Sequence, residues 1–131
     1  AHNSASTKRL VKNIKTYFNY DKNFLILGVS CDKDISGIVK ELISLSPQIV
    51  VTRSSHPRAA SPLILAAEFA KWGSNPRVTE TVTQALSQTL SIAKERDLIC
   101  VTGSLFVVAE ALDYVAEFQN PKVLLNHHGG S

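Results

Sequence analysis

The chain has no methionine, one tryptophan and two cysteines in 131 residues. Two cysteines, Cys31 and Cys100, are too few for a disulfide framework. Each follows an apolar stretch that reads as a strand, so both are expected to be buried, reduced thiols. Neither stands in a CxxC pair or at metal-ligand spacing from a histidine, which argues against a redox or metal role. No apolar run approaches the ~20 residues of a membrane-spanning helix. No basic-then-apolar leader opens the chain as given, so a cytoplasmic protein is expected. Glycine is scarce, and neither GxxxxGK[ST] nor GxGxxG occurs, so the chain lacks a phosphate loop of its own. Of four histidines, two form the pair His127-His128, and no Ser-His-Asp arrangement can be argued from the rest. The Ala1 start together with the missing methionine suggests a piece of a longer protein.

What is present is the composition of a globular domain. Hydrophobic residues make up 44% and charged residues 19%, with a formal net charge of only +3, which excludes a disordered chain. The length suits one domain with one core. The expected division is a single domain over 1–125 and a flexible end over 126–131, where Asn126 to Ser131 show no periodic pattern. The positive charge is local. Residues 1–22 carry Lys8, Arg9, Lys12, Lys15 and Lys22 against Asp21 alone, while the remainder is nearly balanced. Lys8, Lys12 and Lys15 share one helical face, either simply solvated or attractive to anions such as nucleotide phosphates. No aromatic residues interleave these cations and no nucleic-acid-binding motif is present, so no nucleic-acid partner is expected.

Apolar periodicity alternates along the chain. A helix is expected from about Ser4 to Phe18, capped by Asn3 or Ser4. The continuous run Phe24 to Ser30 suits a strand buried on both faces. Asp34 can cap a helix in which Ile35, Ile38, Val39, Leu42 and Ile43 recur, reaching Leu45. Pro47 ends it, and Gln48 to Thr52 reads as a second buried strand. Arg53 to Ser61 reads as a loop, and Pro62 suits the first turn of a helix to Trp72. Arg77-Val78 is a very short strand candidate. Glu80 to Lys94 reads as a helix, Leu98 to Thr102 as a third main strand, and Ser104 to Phe118 as the last helix. Buried strands joined by helices require right-handed crossovers. The expected fold is therefore α/β: a three-layer, Rossmann-like domain with a mostly parallel sheet and helices on both faces.

Ligands of open α/β sheets sit at the carboxyl ends of the strands. The first strand is followed by Cys31-Asp32-Lys33-Asp34, the second by Arg53, His56 and Arg58, and the third by Thr102-Gly103-Ser104. Gly103-Ser104 can offer an anion site at a helix N-terminus, but Ser104 and Asp34 are equally good helix caps. Lys33 and Arg58 are cations that can simply be solvated. No catalytic constellation stands out, and no metal ligands are expected in this domain.

Four short motifs, in order, resemble one family. Ala1-His2-Asn3 before a helix looks like the end of an Asp-Gly-Ala-His-Asn motif. Leu27-Gly28-Val29 leading to Asp32-Lys33-Asp34 is similar to a strand ending in Asp-Lys-Asp. His56-Pro57-Arg58-Ala59 resembles a Pro-Arg-Ala loop. Asp97-Leu98-Ile99-Cys100-Val101-Thr102-Gly103-Ser104-Leu105 resembles an Asp-Leu-x-x-x-Thr-Gly-Ser-Leu signature. Together they resemble the C-terminal domain of folylpolyglutamate synthetases and bifunctional dihydrofolate synthetases, members of the Mur ligase superfamily. Ser4 departs from the proline often found there.

The resemblance implies an ATP-dependent amide ligase using ATP and Mg²⁺ in the full-length enzyme, with the isolated domain inactive. In that reaction a folate or dihydropteroate carboxylate is activated as an acyl phosphate and attacked by the amine of glutamate. The implied partner is a central ATPase domain of the same chain, in a monomer. His2 and Asn3 would lie against ATP, Ser104 would help bind glutamate, and Asp32, Lys33, Asp34 and Arg58 would line the interdomain cleft. Residues alone leave open another Mur-type ligase, of peptidoglycan-precursor or cyanophycin type, or a stand-alone nucleotide-binding module.

Overall fold

A computed structural model describes residues 3–45, 47–118 and 123–127. Its elements alternate: α1 (Asn3–Tyr17), β1 (Asn23–Gly28), α2 (Ile35–Leu42), β2 (Gln48–Val51), α3 (Pro62–Ala70), β3 (Arg77–Val78), α4 (Val82–Ile92), β4 (Leu98–Gly103), α5 (Leu105–Phe118) and β5 (Val123–His127). The strands form one sheet in the order β3-β2-β1-β4-β5, and every pairing between them is parallel. The α/β reading with helices on both faces holds. Alternation along the strands sorts the core in two. Leu25, Leu27, Ile49, Val51 and Cys100 face α1, α2 and α3, where they meet Leu10, Ile14, Ile38, Leu42 and Phe69. Phe24, Ile26, Val50, Ile99 and Val101 face α4 and α5, where they meet Leu86, Val107 and Ala111.

The differences from expectation are local. α2 gives way to a 3-10 turn over Ile43–Leu45 rather than staying α-helical to that point. α3 ends at Ala70, ahead of Trp72, and Gly73 takes a positive φ of 77° in the turn that follows. Strand β5 was not expected: it pairs with β4 from Ile99↔Val123 to Gly103↔His127 and so runs two residues past position 125. Cys31 is a correction. It is exposed, because β1 ends three residues earlier and Cys31 already belongs to the loop. Cys100 is buried as expected, inside β4. Tyr17 and Phe18 are also exposed at the end of α1, outside its apolar face of Leu10, Val11 and Ile14.

At the amino edge of the sheet, Asp97 is a structural residue. One carboxylate oxygen accepts from the Lys22 amide at 3.1 Å and the other from the Lys94 amide at 2.8 Å. This buried carboxylate ties the entry of β1 to the entry of β4. At the carboxyl edge the tie is made by glycine. Gly28 and Gly103 are register partners at the ends of β1 and β4, and the Ser104 amide donates to the Gly28 carbonyl at 2.9 Å. Gly103 has φ 133°, and a Cβ there would collide with that same carbonyl. A Cβ on Gly28 would come within 2.7 Å of the Val107 side chain. Gly103→Ala is therefore expected to cost about 3 kcal/mol of stability. Urea unfolding checks this, and an unchanged midpoint would contradict it.

Candidate functional site

The strand order turns back between β1 and β4, since β2 and β3 extend the sheet on one side of β1 and β4 and β5 on the other. In open parallel sheets the crevice at such a switch point, at the carboxyl edge, is where ligands bind. Three loops meet there. The β1–α2 loop carries Cys31, Asp32, Lys33 and Asp34. The β4–α5 junction carries Ser104. The β2–α3 loop does not stay beside its own strand: it folds back across the end of β1. The Ala60 amide donates to Val29 O at 2.8 Å, Ser30 bridges Ala59, and the Cys31 amide donates to Arg58 O at 2.8 Å.

The loop then reaches α5. Glu110 Oε2 accepts from both the Ser55 amide, at 3.0 Å, and the Ser55 hydroxyl, at 2.9 Å. The His56 ring stacks on Phe106, with centroids 4.0 Å apart and planes inclined by 21°. Arg53 reaches Glu80, before α4, at 3.4 Å. Beneath this strap is a cavity of about 400 Å³, lined by Arg53, Ser54, His56, Glu80 and Glu110 among others.

The candidates from sequence divide by role. Asp34 caps α2, accepting from the Gly37 amide at 3.0 Å. Ser104 is only 4% exposed, and its Oγ accepts from the Val107 amide at 3.2 Å, so it caps α5 from beneath the strap. Asp32 and Arg58 come together, with Nη2 to Oδ2 at 3.7 Å. Both are exposed, at 54% and 62%, so this pair is worth little and is easily exchanged for another anion. Lys33 stands on the same loop and forms no ion pair among the described residues. His2 lies outside the described residues, and Asn3 enters only as the first residue of α1. Lys8, Lys12 and Lys15 are exposed along a groove between α1 and α2, apart from this cluster.

Sequence reasoning missed the roles of Phe106 and Glu110. The signal was available: the two residues are four apart on α5, hence on one face, directly after the cap at Ser104. Their partners, Ser55 and His56, lie some fifty residues away, and only the return of the loop over β1 brings them together. Among the described residues, no group of three or more His, Cys, Asp or Glu is placed to hold a metal ion. No helix among them is long and apolar enough to cross a membrane.

This arrangement belongs to a recognised class. The family described as "Mur ligase, glutamate ligase domain" matches residues 1–105, and the chain belongs to that family. The resemblance is to ligases of the folylpolyglutamate synthase type. A probable bifunctional folylpolyglutamate synthase/dihydropteroate synthase of Halobacterium salinarum is 30% identical over 112 residues, 85% of this chain and 14% of that protein. The folylpolyglutamate synthase of Mycobacterium tuberculosis, solved with ADP, is 25% identical with a TM-score of 0.75, covering 88% of this chain and 28% of that one. The bifunctional folylpolyglutamate synthase/dihydrofolate synthase of Yersinia pestis, solved with AMPPNP and a Mn ion, is 25% identical with a TM-score of 0.72, covering 88% and 27%. The chain thus spans under a third of the length of each.

The two thiols give a direct check of the site's boundaries. Burial pushes the Cys100 thiol up to about 12, which leaves it protonated and unreactive at pH 8. An aromatic disulfide reagent at pH 8 is expected to modify Cys31 in the native chain and both cysteines in urea. Rapid reaction of both in the native chain would contradict the placement of Cys100. Ser104→Ala should lower stability by about 1 kcal/mol through the lost cap, read as a fall in Tm.

Proposed function

We propose that this domain receives glutamate in an ATP-dependent ligase that joins it to a folate or dihydropteroate carboxylate. The observation that carries this reading is Arg58: an exposed guanidinium at the carboxyl edge, on a loop laid across the end of β1, with only the solvated Asp32 as counter-ion. A carboxylate of glutamate can take the place of Asp32 and form the two parallel hydrogen bonds that a guanidinium offers. Lys33, on the neighbouring loop, adds positive potential at the same edge. Asp32 then serves as a resident counter-ion that keeps Arg58 extended while the site is empty.

ATP, when bound, supplies the phosphoryl group that activates the acceptor carboxylate. The remaining work is positioning. Holding glutamate by its carboxylate directs its amine to the activated carbonyl, where the new amide forms and phosphate leaves. An acyl phosphate must also be shielded from water. The first turns of α3 and α5 lie at the carboxyl edge and expose Leu63, Ile64 and Phe106. These side chains suit closure against an ATPase domain of the same polypeptide, which would also supply the phosphate loop absent here. Asn3, the first residue of α1, and His2, which precedes it in the sequence, are the proposed nucleotide contacts. Ser104, which caps α5 at this edge, is proposed as a further contact for glutamate.

The test is glutamate- and ATP-dependent phosphate release by the full-length protein, offered dihydropteroate or a reduced folate. Arg58→Ala is expected to raise KM for glutamate about ten- to a hundredfold, as expected for loss of a charged hydrogen bond. Release with a peptidoglycan precursor instead would move the substrate assignment to a sister ligase. An unchanged KM for glutamate would remove Arg58 from the site.

A further inference from the structure

Building on the glutamate reading, we infer that His56 is the positioning residue for Arg58, and that Phe106 and Glu110 hold His56 in register. The Arg58 amide donates to His56 Nδ1 at 3.1 Å, so this ring nitrogen serves as the acceptor. The Arg58 carbonyl accepts from the Cys31 amide at 2.8 Å. The backbone of Arg58 is therefore fastened on both sides, by a histidine ring on one and by the β1–α2 loop on the other.

The histidine is itself fixed. Its ring lies on Phe106, its amide donates to Ser54 Oγ at 3.2 Å, and the preceding Ser55 is doubly bonded to Glu110. None of this is needed to close the loop. The ends are already tied by the Thr52 amide to Leu27 O at 2.9 Å and by the Ala60 amide to Val29 O. His56, Phe106 and Glu110 also stand outside both core clusters. The extra bonds fall on the residues leading into Arg58, as expected of a device that aims one side chain. Because Phe106 and Glu110 ride on the helix that Ser104 caps, the backbone leading into Arg58 is tied to the start of α5.

Glutamate-dependent phosphate release by the full-length protein tests this with three variants. His56→Phe keeps a ring on Phe106 but offers no acceptor to the Arg58 amide. It is expected to raise KM for glutamate about fivefold, with kcat within about twofold and KM for ATP unchanged. His56→Asn restores an acceptor at the position of Nδ1 and should return KM toward the wild-type value. In an Arg58→Ala background, His56→Phe should add nothing, because its effect passes through Arg58. A full additional loss in that background, or an unchanged KM in His56→Phe alone, overturns the positioning role while leaving the ligase reading intact. A wild-type protein that releases no phosphate with glutamate overturns the ligase reading and this inference with it.

Discussion

Two glycines facing each other across β1 and β4 set the geometry of everything above the sheet. Gly28 and Gly103 end the two central strands, and neither leaves room for a Cβ. Their close approach lets the Ser104 amide reach the Gly28 carbonyl and lets Val107 pack over Gly28. That contact seats α5 at the switch point. A side chain at either position would lift the start of α5, and with it Phe106 and Glu110, away from the loop they hold. At Gly103 the obstacle is the backbone of Gly28, so it cannot be relieved by rotating a side chain; at Gly28 the Val107 methyl is nearest, with the Thr52 carbonyl behind it at 3.0 Å.

Above that foundation the site is built from weak polar contacts. The Asp32–Arg58 pair is long and solvated, and so contributes little to folding. The Glu110–Ser55 bonds and the His56–Phe106 stack lie at the surface of α5. Such contacts are worth about 1 kcal/mol each, small beside the burial of Phe69, Leu25 or Ile26 in the core. This separation has a use. The core specifies the fold, while the strap can be tuned for a ligand with little consequence for stability.

Much of the architecture could be read from the chain. The strands expected over Phe24 to Ser30 and Leu98 to Thr102 appear as Asn23–Gly28 and Leu98–Gly103, buried along their whole length as a parallel sheet covered on both faces requires. Asp34 and Ser104 were legible as caps because the side-chain oxygen and the amide that donates to it lie three residues apart. β5 was not legible, because Val123–His127 is a short segment at the sheet edge, paired with β4 among the described residues, with no period of its own to announce it. The exposure of Cys31 was missed by one assumption, that the strand continued to the cysteine. The site was half legible. Arg58 and Asp32 could be named as edge residues, but not their pairing, nor the strap, since those depend on a loop crossing a neighbouring strand. That is a tertiary fact with no local pattern.

The central claim is that the carboxyl edge, with the β2–α3 loop laid across β1, is where ligand is held. Amide hydrogen exchange of the full-length protein, with and without glutamate and a non-hydrolysable ATP analogue, tests it most directly. The account predicts slowed exchange in 30–34, 53–61 and 103–107, with the amino edge around Lys22 and Lys94–Asp97 unchanged. Slowed exchange confined to the amino edge, or none in the strap, would contradict it.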